Sequence, residues 1–149
     1  MTDTWTPQAT NTHQDHIIAH VLGATVLGYF VFDEVLYILL DIGFVWTIFL
    51  DGQMGLLPHP VTVSELEIDS AARQEIKTDV ELLLSGKAAA DEDLLRMKLP
   101  PGDSRSCRIE EVQFFVDGER RRLLITGEEH NLTIETSLAT AEIQVYAAV

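Results

Sequence analysis

Apolar residues concentrate in the first third of the chain, in three runs separated by polar turn candidates. The runs span residues 25–32, 35–40 and 44–50, with Asp33-Glu34 and then Asp41-Ile42-Gly43 between them. They are rich in Val, Ile, Phe, Tyr and Trp, which favour strands, so they predict an antiparallel β meander. The middle run has no polar alternation, which is typical of a strand covered on both faces.

The C-terminal third carries a different, alternating pattern. It predicts four further strands, at residues 108–116, 119–126, 131–136 and 142–146. Asp117-Gly118 is a hairpin signal, because glycine tolerates the positive φ that tight turns need. This second meander is amphipathic, with one polar and one apolar face.

Helical patterns lie before and between the two meanders. A short amphipathic helix is predicted from Thr12, whose hydroxyl would cap it, to Gly23. A longer helix follows Asp69 and ends at Gly86, and a brief one spans residues 91–98. Residues 52–60 are predicted as a loop or short extended chain, and residues 61–68 fit either a strand or a helix.

These patterns together predict an α+β fold with antiparallel β meanders and about three helices. The length of 149 residues fits one domain covering residues 1–149. We expect residues 1–11 to be flexible and residues 99–106, around Pro100-Pro101-Gly102, to form an internal loop. The strands could form one continuous sheet or two sheets packed face to face.

Charge and cysteine content exclude several classes of protein. Ten Lys and Arg stand against 24 Asp and Glu, a net charge of −14 that repels phosphate backbones and argues against nucleic-acid binding. The single cysteine, Cys107, cannot form an internal disulfide. No basic residue precedes the first apolar run as a secretory signal requires, and the apolar runs are too short to span a bilayer as helices. We therefore expect a cytoplasmic protein without a membrane partner.

Three histidines on the first predicted helix form a candidate metal site. His13, His16 and His20 fall within one narrow arc of the helix, and imidazoles at spacings of three and four residues can share a transition metal. His16 and His20 are the stronger pair, with His13, His59 or a carboxylate as the further ligand. The alternative, which we favour, is a set of polar side chains at the edge of the core, with no cofactor.

A basic cluster at residues 120–122 is a candidate anion site. On a strand, Arg120 and Arg122 share one face and could hold a phosphate or carboxylate. The flanking acids favour cross-strand ion pairs instead. Cys107 lies between Ser106 and Arg108, but it has no histidine near it in sequence to act as a base, so a buried structural thiol is the better interpretation.

The sequence predicts no catalytic residue, and the function expected from it is a non-enzymatic one. We expect a small acidic module that binds a protein partner or self-associates, most simply as a homodimer. The expected interface consists of the large apolar side chains of the first meander, Tyr37, Phe44, Trp46 and Phe49, if one of its faces stays open. The alternative is a small metal-dependent enzyme, a hydrolase using zinc or another transition metal on the histidines.

Overall fold

The computed structural model describes residues 5–51, 53–60, 62–87, 91–99, 108–128, 131–140 and 142–148. Within these ranges the α-helices are α1 (Thr12–Val21) and α2 (Ser70–Leu84), and short 3-10 turns lie at Val63–Glu65 and Asp91–Asp93. The strands are β1 (Thr6–Gln8), β2 (Val26–Phe32), β3 (Val35–Leu40), β4 (Phe44–Asp51), β5 (Gln53–Pro60), β6 (Ile109–Asp117), β7 (Arg120–Gly127), β8 (Asn131–Ser137) and β9 (Ile143–Ala148). The α+β class predicted from the sequence is confirmed.

The strands form two antiparallel sheets that pack face to face. Their orders are β2-β3-β4-β5 and β1-β6-β7-β8-β9, so each predicted meander becomes a sheet of neighbouring hairpins. The apolar side chains between the sheets come from both, with Ile38 and Trp46 on one side and Leu123 and Ile134 on the other. Helix α1 packs beside β5 and adds Ile17 to the same core.

The other face of the four-stranded sheet is covered by α2. Ala72, Ile76 and Leu83 of this helix pack on Tyr37 and Leu39 of β3 in a second apolar cluster. The first meander is therefore covered on both faces, as its lack of polar alternation predicts. The resulting layers are the five-stranded sheet, the four-stranded sheet and α2.

Two strands differ from the sequence prediction. Residues 6–8, expected to be flexible, form β1, which pairs with β6 in the register Thr6 opposite Val116. Residues 53–60 form the full strand β5 opposite β4. Both strands contain proline, which lowers the strand signal in a sequence. Proline is accommodated at a sheet edge, because the outward N–H groups of an edge strand do not bond to a neighbouring strand.

The helix boundaries also differ in two places. The N-cap of α1 is Asn11 rather than Thr12, because the Asn11 side chain accepts from the Gln14 N–H at 2.8 Å and the Gln14 side chain accepts from the Asn11 N–H at 3.0 Å. The predicted helix at residues 91–98 is wrong beyond its first turn. Residues 94–99, here called the strap, bend instead, because a buried carboxylate holds three successive backbone N–H groups.

Candidate functional site

Strand β9 forms one edge of the five-stranded sheet and is the least protected sheet edge among the described residues. Among the described strands it pairs only with β8. Its residues Ile143–Ala148 include no charged residue and no proline. Natural sheets usually blunt an edge with lysine, proline, a bulge or a covering segment, because unpaired N–H and C=O groups accept any extended chain. An apolar and uncharged edge strand is a template for strand addition.

The other three sheet edges carry such protection. β1 is three residues long and contains Pro7, and β5 contains Pro58 and Pro60. The edge of β2 is covered at two points, by bridges from Thr25 to Arg108 and from Tyr29 to Lys98. In the second bridge the Lys98 N–H donates to Tyr29 O at 2.7 Å and the Tyr29 N–H to Lys98 O at 2.9 Å.

A crevice of about 290 Å³, here called the inner crevice, opens beneath β9 between the two sheets. Apolar side chains from both edge strands form part of its lining, and the strap supplies its cations. The lining consists of Tyr29, Phe30, Val31, Ile143 and Val145, with Arg96 and Lys98. The side chains of Arg96 and Lys98 are exposed at its mouth.

A second crevice of about 260 Å³, here called the outer crevice, lies on the solvent face of the same sheet. Gln144 and Tyr146 of β9 line it together with Arg120 and Glu135. It also reaches Thr136, which is buried and whose hydroxyl has no hydrogen-bond partner among the described atoms. Because successive side chains of a strand point to opposite faces, β9 presents an opening on each of its two sides.

Asp79 on α2 fixes the strap that forms one wall of the inner crevice. This carboxylate is 0% exposed and accepts the backbone N–H groups of Leu95, Arg96 and Met97 at 2.7, 2.8 and 2.8 Å. A buried carboxylate is tolerated only when it is well hydrogen-bonded, and three backbone donors supply that here. Asp79 therefore sets where Arg96 and Lys98 lie.

Gly28 lets the strap approach β2 closely. A Cβ atom at this position would lie 2.7 Å from Leu83 Cδ1 and 3.1 Å from Lys98 O. A side chain at this position would therefore crowd the bridge between Tyr29 and Lys98. A register shift between Val26 and Gly28 accompanies the approach.

The predicted anion site, Arg120 and Arg122, does lie on one face of β7, and both arginines contact the ring of Trp5. Their guanidinium carbons are 4.6 and 4.2 Å from the Trp5 ring centroid. Arg122 also donates two hydrogen bonds to Glu135 Oε2, at 3.1 Å from Nε and 2.8 Å from Nη2, and Arg120 pairs with Asp117. Each positive charge is therefore compensated, as the cross-strand interpretation predicts, and an anion would compete with a carboxylate.

The predicted metal ligands are only partly brought together. The rings of His16 and His20 lie edge to face on the exposed face of α1, with centroids 4.9 Å apart. His13 is directed elsewhere, with its Nε2 3.3 Å from Leu56 O. Among the described residues no group of three or more His, Cys, Asp or Glu side chains is placed to hold a metal ion. The side chain of His59 lies outside the described residues, as does Cys107.

Three of the four side chains expected at an apolar interface pack within the layers of this chain. Trp46 is 0% exposed between the sheets, and Phe44 packs against the same core. Tyr37 is buried under α2 with its ring stacked on Phe30, and Phe49 is half-buried. The open apolar face that suggested a homodimer is covered by the second sheet and by α2.

Sequence reasoning missed Asp79, the strap and the edge position of β9. The signal for Asp79 was present in the sequence. Asp79 lies three residues after Ile76 and directly before Val80, which places it on the apolar face of a helix. Such an acid is expected to have partners. The edge position of β9 has no local signal, because strand order is decided by contacts distant in sequence.

Comparison with protein-family models, curated proteins and solved structures finds no match to this chain. In the described part of the chain, no helix is both long and apolar enough to cross a membrane.

Proposed function

We propose that this protein is a non-enzymatic binding module that accepts an extended segment of a protein partner as an added strand along β9. The observation that carries the proposal is the character of β9, an uncharged and apolar edge strand in a molecule whose other sheet edges are short, proline-containing or covered. In strand addition, main-chain hydrogen bonds supply affinity and pockets for alternate side chains supply specificity.

The two crevices support the proposal because each lies where an added strand would direct its side chains. Side chains on one face of the added strand would lie beside Ile143 and Val145, over the inner crevice. Those on the other face would lie beside Gln144 and Tyr146, over the outer crevice. The expected cytoplasmic location is part of the proposal and rests on the single cysteine, which cannot form an internal disulfide.

Self-association is the other form that edge pairing can take. Two copies of β9 could pair antiparallel about a two-fold axis, which would give the homodimer expected from the sequence through a different surface. Light scattering at tens of micromolar protein separates the two forms. A mass that stays near 16.6 kDa leaves the edge free for a partner, and a doubled mass that proline substitution in β9 abolishes would assign the edge to a second copy.

Peptide selection followed by proline substitution tests the proposal. Random twelve-residue peptides displayed on phage are selected on the immobilised protein, and recovered peptides are titrated by fluorescence anisotropy. The same titration is repeated on proline variants at each position from Ile143 to Tyr146. In an edge strand only alternate N–H groups bond to the neighbouring strand, so some of these variants keep the melting temperature of the parent.

The proposal predicts that peptide affinity falls at least tenfold, or about 1.4 kcal/mol, in the proline variants that keep the parent melting temperature. Thr6→Pro in β1, the opposite edge of the same sheet, is the matched control and should leave affinity unchanged. Recovery of no peptide, or equal affinity for the parent and the folded β9 variants, would contradict the proposal.

A further inference from the structure

We infer that the segment bound along β9 carries a carboxylate side chain on its inward face, held by Arg96 and Lys98 at the mouth of the inner crevice. The inference rests on the proposed function and names the chemistry of the partner. It follows from how the two cations are positioned, from the charge around them and from the alternation of side chains along an added strand.

The two cations are held in place at their backbone. The Asp79 carboxylate accepts hydrogen bonds from the backbone N–H groups of Arg96 and of the residues before and after it. The strap then pairs with β2 through Tyr29 and Lys98. Their side chains begin from fixed points beside the crevice, so less backbone order must be acquired on binding. Preorganisation of this kind favours affinity for a matching charge.

The cations have little compensation from this chain. No Asp or Glu is among the described residues that line the crevice, although the chain has 24 acids for ten Lys and Arg. Arg96 Nη2 lies 3.4 Å from Glu75 Oε1, and both side chains are more than a third exposed, so this pair is weak. Among the described residues no carboxylate pairs with the Lys98 ammonium. An anionic group is therefore the complementary occupant.

An added strand would bring such a group to the cations through its side-chain alternation. Its inward side chains would follow the direction of Ile143 and Val145, which form the apolar wall facing Tyr29 and Val31. The favoured inward face combines apolar side chains over that wall with an Asp or Glu near Arg96 and Lys98. The net charge of −14 opposes acidic partners at long range, but screening limits it to about 8 Å in physiological salt.

A second copy of this chain complements the cations of the inner crevice less well than an acidic segment does. β9 contains no acid, and Glu142 just before it lines the outer crevice, so pairing with another β9 supplies no carboxylate to the inner crevice. A two-fold axis beside β9 would also bring the strap cations of both copies toward each other, and like charges in proximity disfavour association. These two points favour an acidic segment of a different protein.

A library of peptides in which threonine alternates with a randomised residue tests the inference. It is selected in parallel on the parent protein, on the double variant Arg96→Glu with Lys98→Glu, and on Lys77→Glu with Lys87→Glu. The second pair makes the same charge change on α2 and just beyond its end, where both side chains are exposed. Thermal unfolding followed by circular dichroism verifies that each variant folds. If the double charge reversal does not fold, the single variant Lys98→Gln replaces it in the selection.

The inference predicts enrichment of Asp or Glu beside apolar residues on the parent and on the Lys77 and Lys87 control. On the Arg96 and Lys98 reversal, Lys or Arg should be enriched instead. Changing the selected Glu to Gln should weaken binding to the parent about fivefold, the effect of a partly exposed ion pair.

Peptides that require β9 but show no acidic preference would overturn this inference and leave the proposed function standing. Peptides that bind proline variants of β9 as tightly as the parent would overturn both.

Discussion

Tyr37 shows how burial of a single polar group couples this fold to pH. Its ring stacks on Phe30 with centroids 4.7 Å apart, under α2. Burial raises the pKa of the Tyr37 phenol above its ordinary value of 10.0, and the negative charges of Glu67 and Asp33 raise it further. The folded state therefore favours the protonated phenol.

Tyr37→Phe should reduce the loss of stability at alkaline pH. In the unfolded chain Tyr37 ionises as pH passes about 10, while the folded protein resists ionisation, so the free energy of unfolding falls from that pH upward until the folded group also titrates. Below pH 9 this contribution is fully present and does not vary. Urea titrations between pH 8 and 11 should show a shallower decline for Tyr37→Phe than for the parent or for Tyr146→Phe. Equal slopes would contradict the burial of the phenol.

Asp79→Ala should destabilise the protein by about 3 kcal/mol, because three backbone N–H groups of the strap, one buried and two part-buried, lose their carboxylate acceptor. Glu81→Ala, an exposed change on the same helix, is the control and should stay within about 0.5 kcal/mol. Limited proteolysis of the Asp79 variant should cut first within residues 94–99. A variant as stable and as resistant as the parent would mean that the carboxylate does not hold the strap.

At the level of elements, two hairpin turns use different residues at positive φ. The β6–β7 turn has Gly118 at a φ of 60°, whereas the β2–β3 turn has Asp33 and Glu34 at φ values of 50° and 64°. Nothing lies within 4 Å of a Cβ built on Gly118, so a substitution there tests backbone conformation alone.

Gly118→Val should cost about 1 kcal/mol or more, because a β-branched residue resists positive φ. Gly118→Asn should cost less, since asparagine tolerates this conformation, and Glu34→Gly should stabilise the other hairpin by about 0.5 kcal/mol. Chemical denaturation of the three variants measures these differences. A neutral Gly118→Val would place the turn elsewhere.

The placement of the α1 histidines predicts that the stability of the protein does not depend on a bound metal ion. His16 and His20 are adjacent, but His13 contacts Leu56 O and does not complete a ligand set with them. The melting temperature of the parent should be unchanged by EDTA, and the double variant His16→Ala with His20→Ala should behave alike. Chelator sensitivity that disappears in the double variant would instead support the metal-dependent hydrolase considered from the sequence.

The elements predicted correctly are those whose signal is local. α2, the three strands from Val26 to Asp51 and the four from Ile109 to Ala148 have periodic apolar residues and polar turns. β1 and the strap have no periodic apolar pattern, because partners distant in sequence hold them. β1 is held by β6, and the strap is held by Asp79. For the same reason β9 was predicted as a strand, while its place at a sheet edge and the crevices beside it were not.

For the whole molecule, the layering accounts for how an unusually apolar meander is buried within one chain. The five-stranded sheet covers one face of the four-stranded sheet and α2 covers the other, so Trp46 and Tyr37 are buried without a second copy. Among the described residues, what the layering leaves open is an edge rather than a face. β9 ends its sheet with uncharged residues, and the strap places two of the ten Lys and Arg residues beside it.

Amide hydrogen exchange along β9, followed by NMR with and without a selected peptide, tests strand addition most directly. In the free protein alternate β9 amides, those that do not bond to β8, should exchange rapidly. With saturating peptide these amides should slow at least tenfold, in register with an added strand, while amides of β1 at the opposite edge stay unchanged. Protection that appears on another surface, with the outward amides of β9 exchanging as before, would contradict the account.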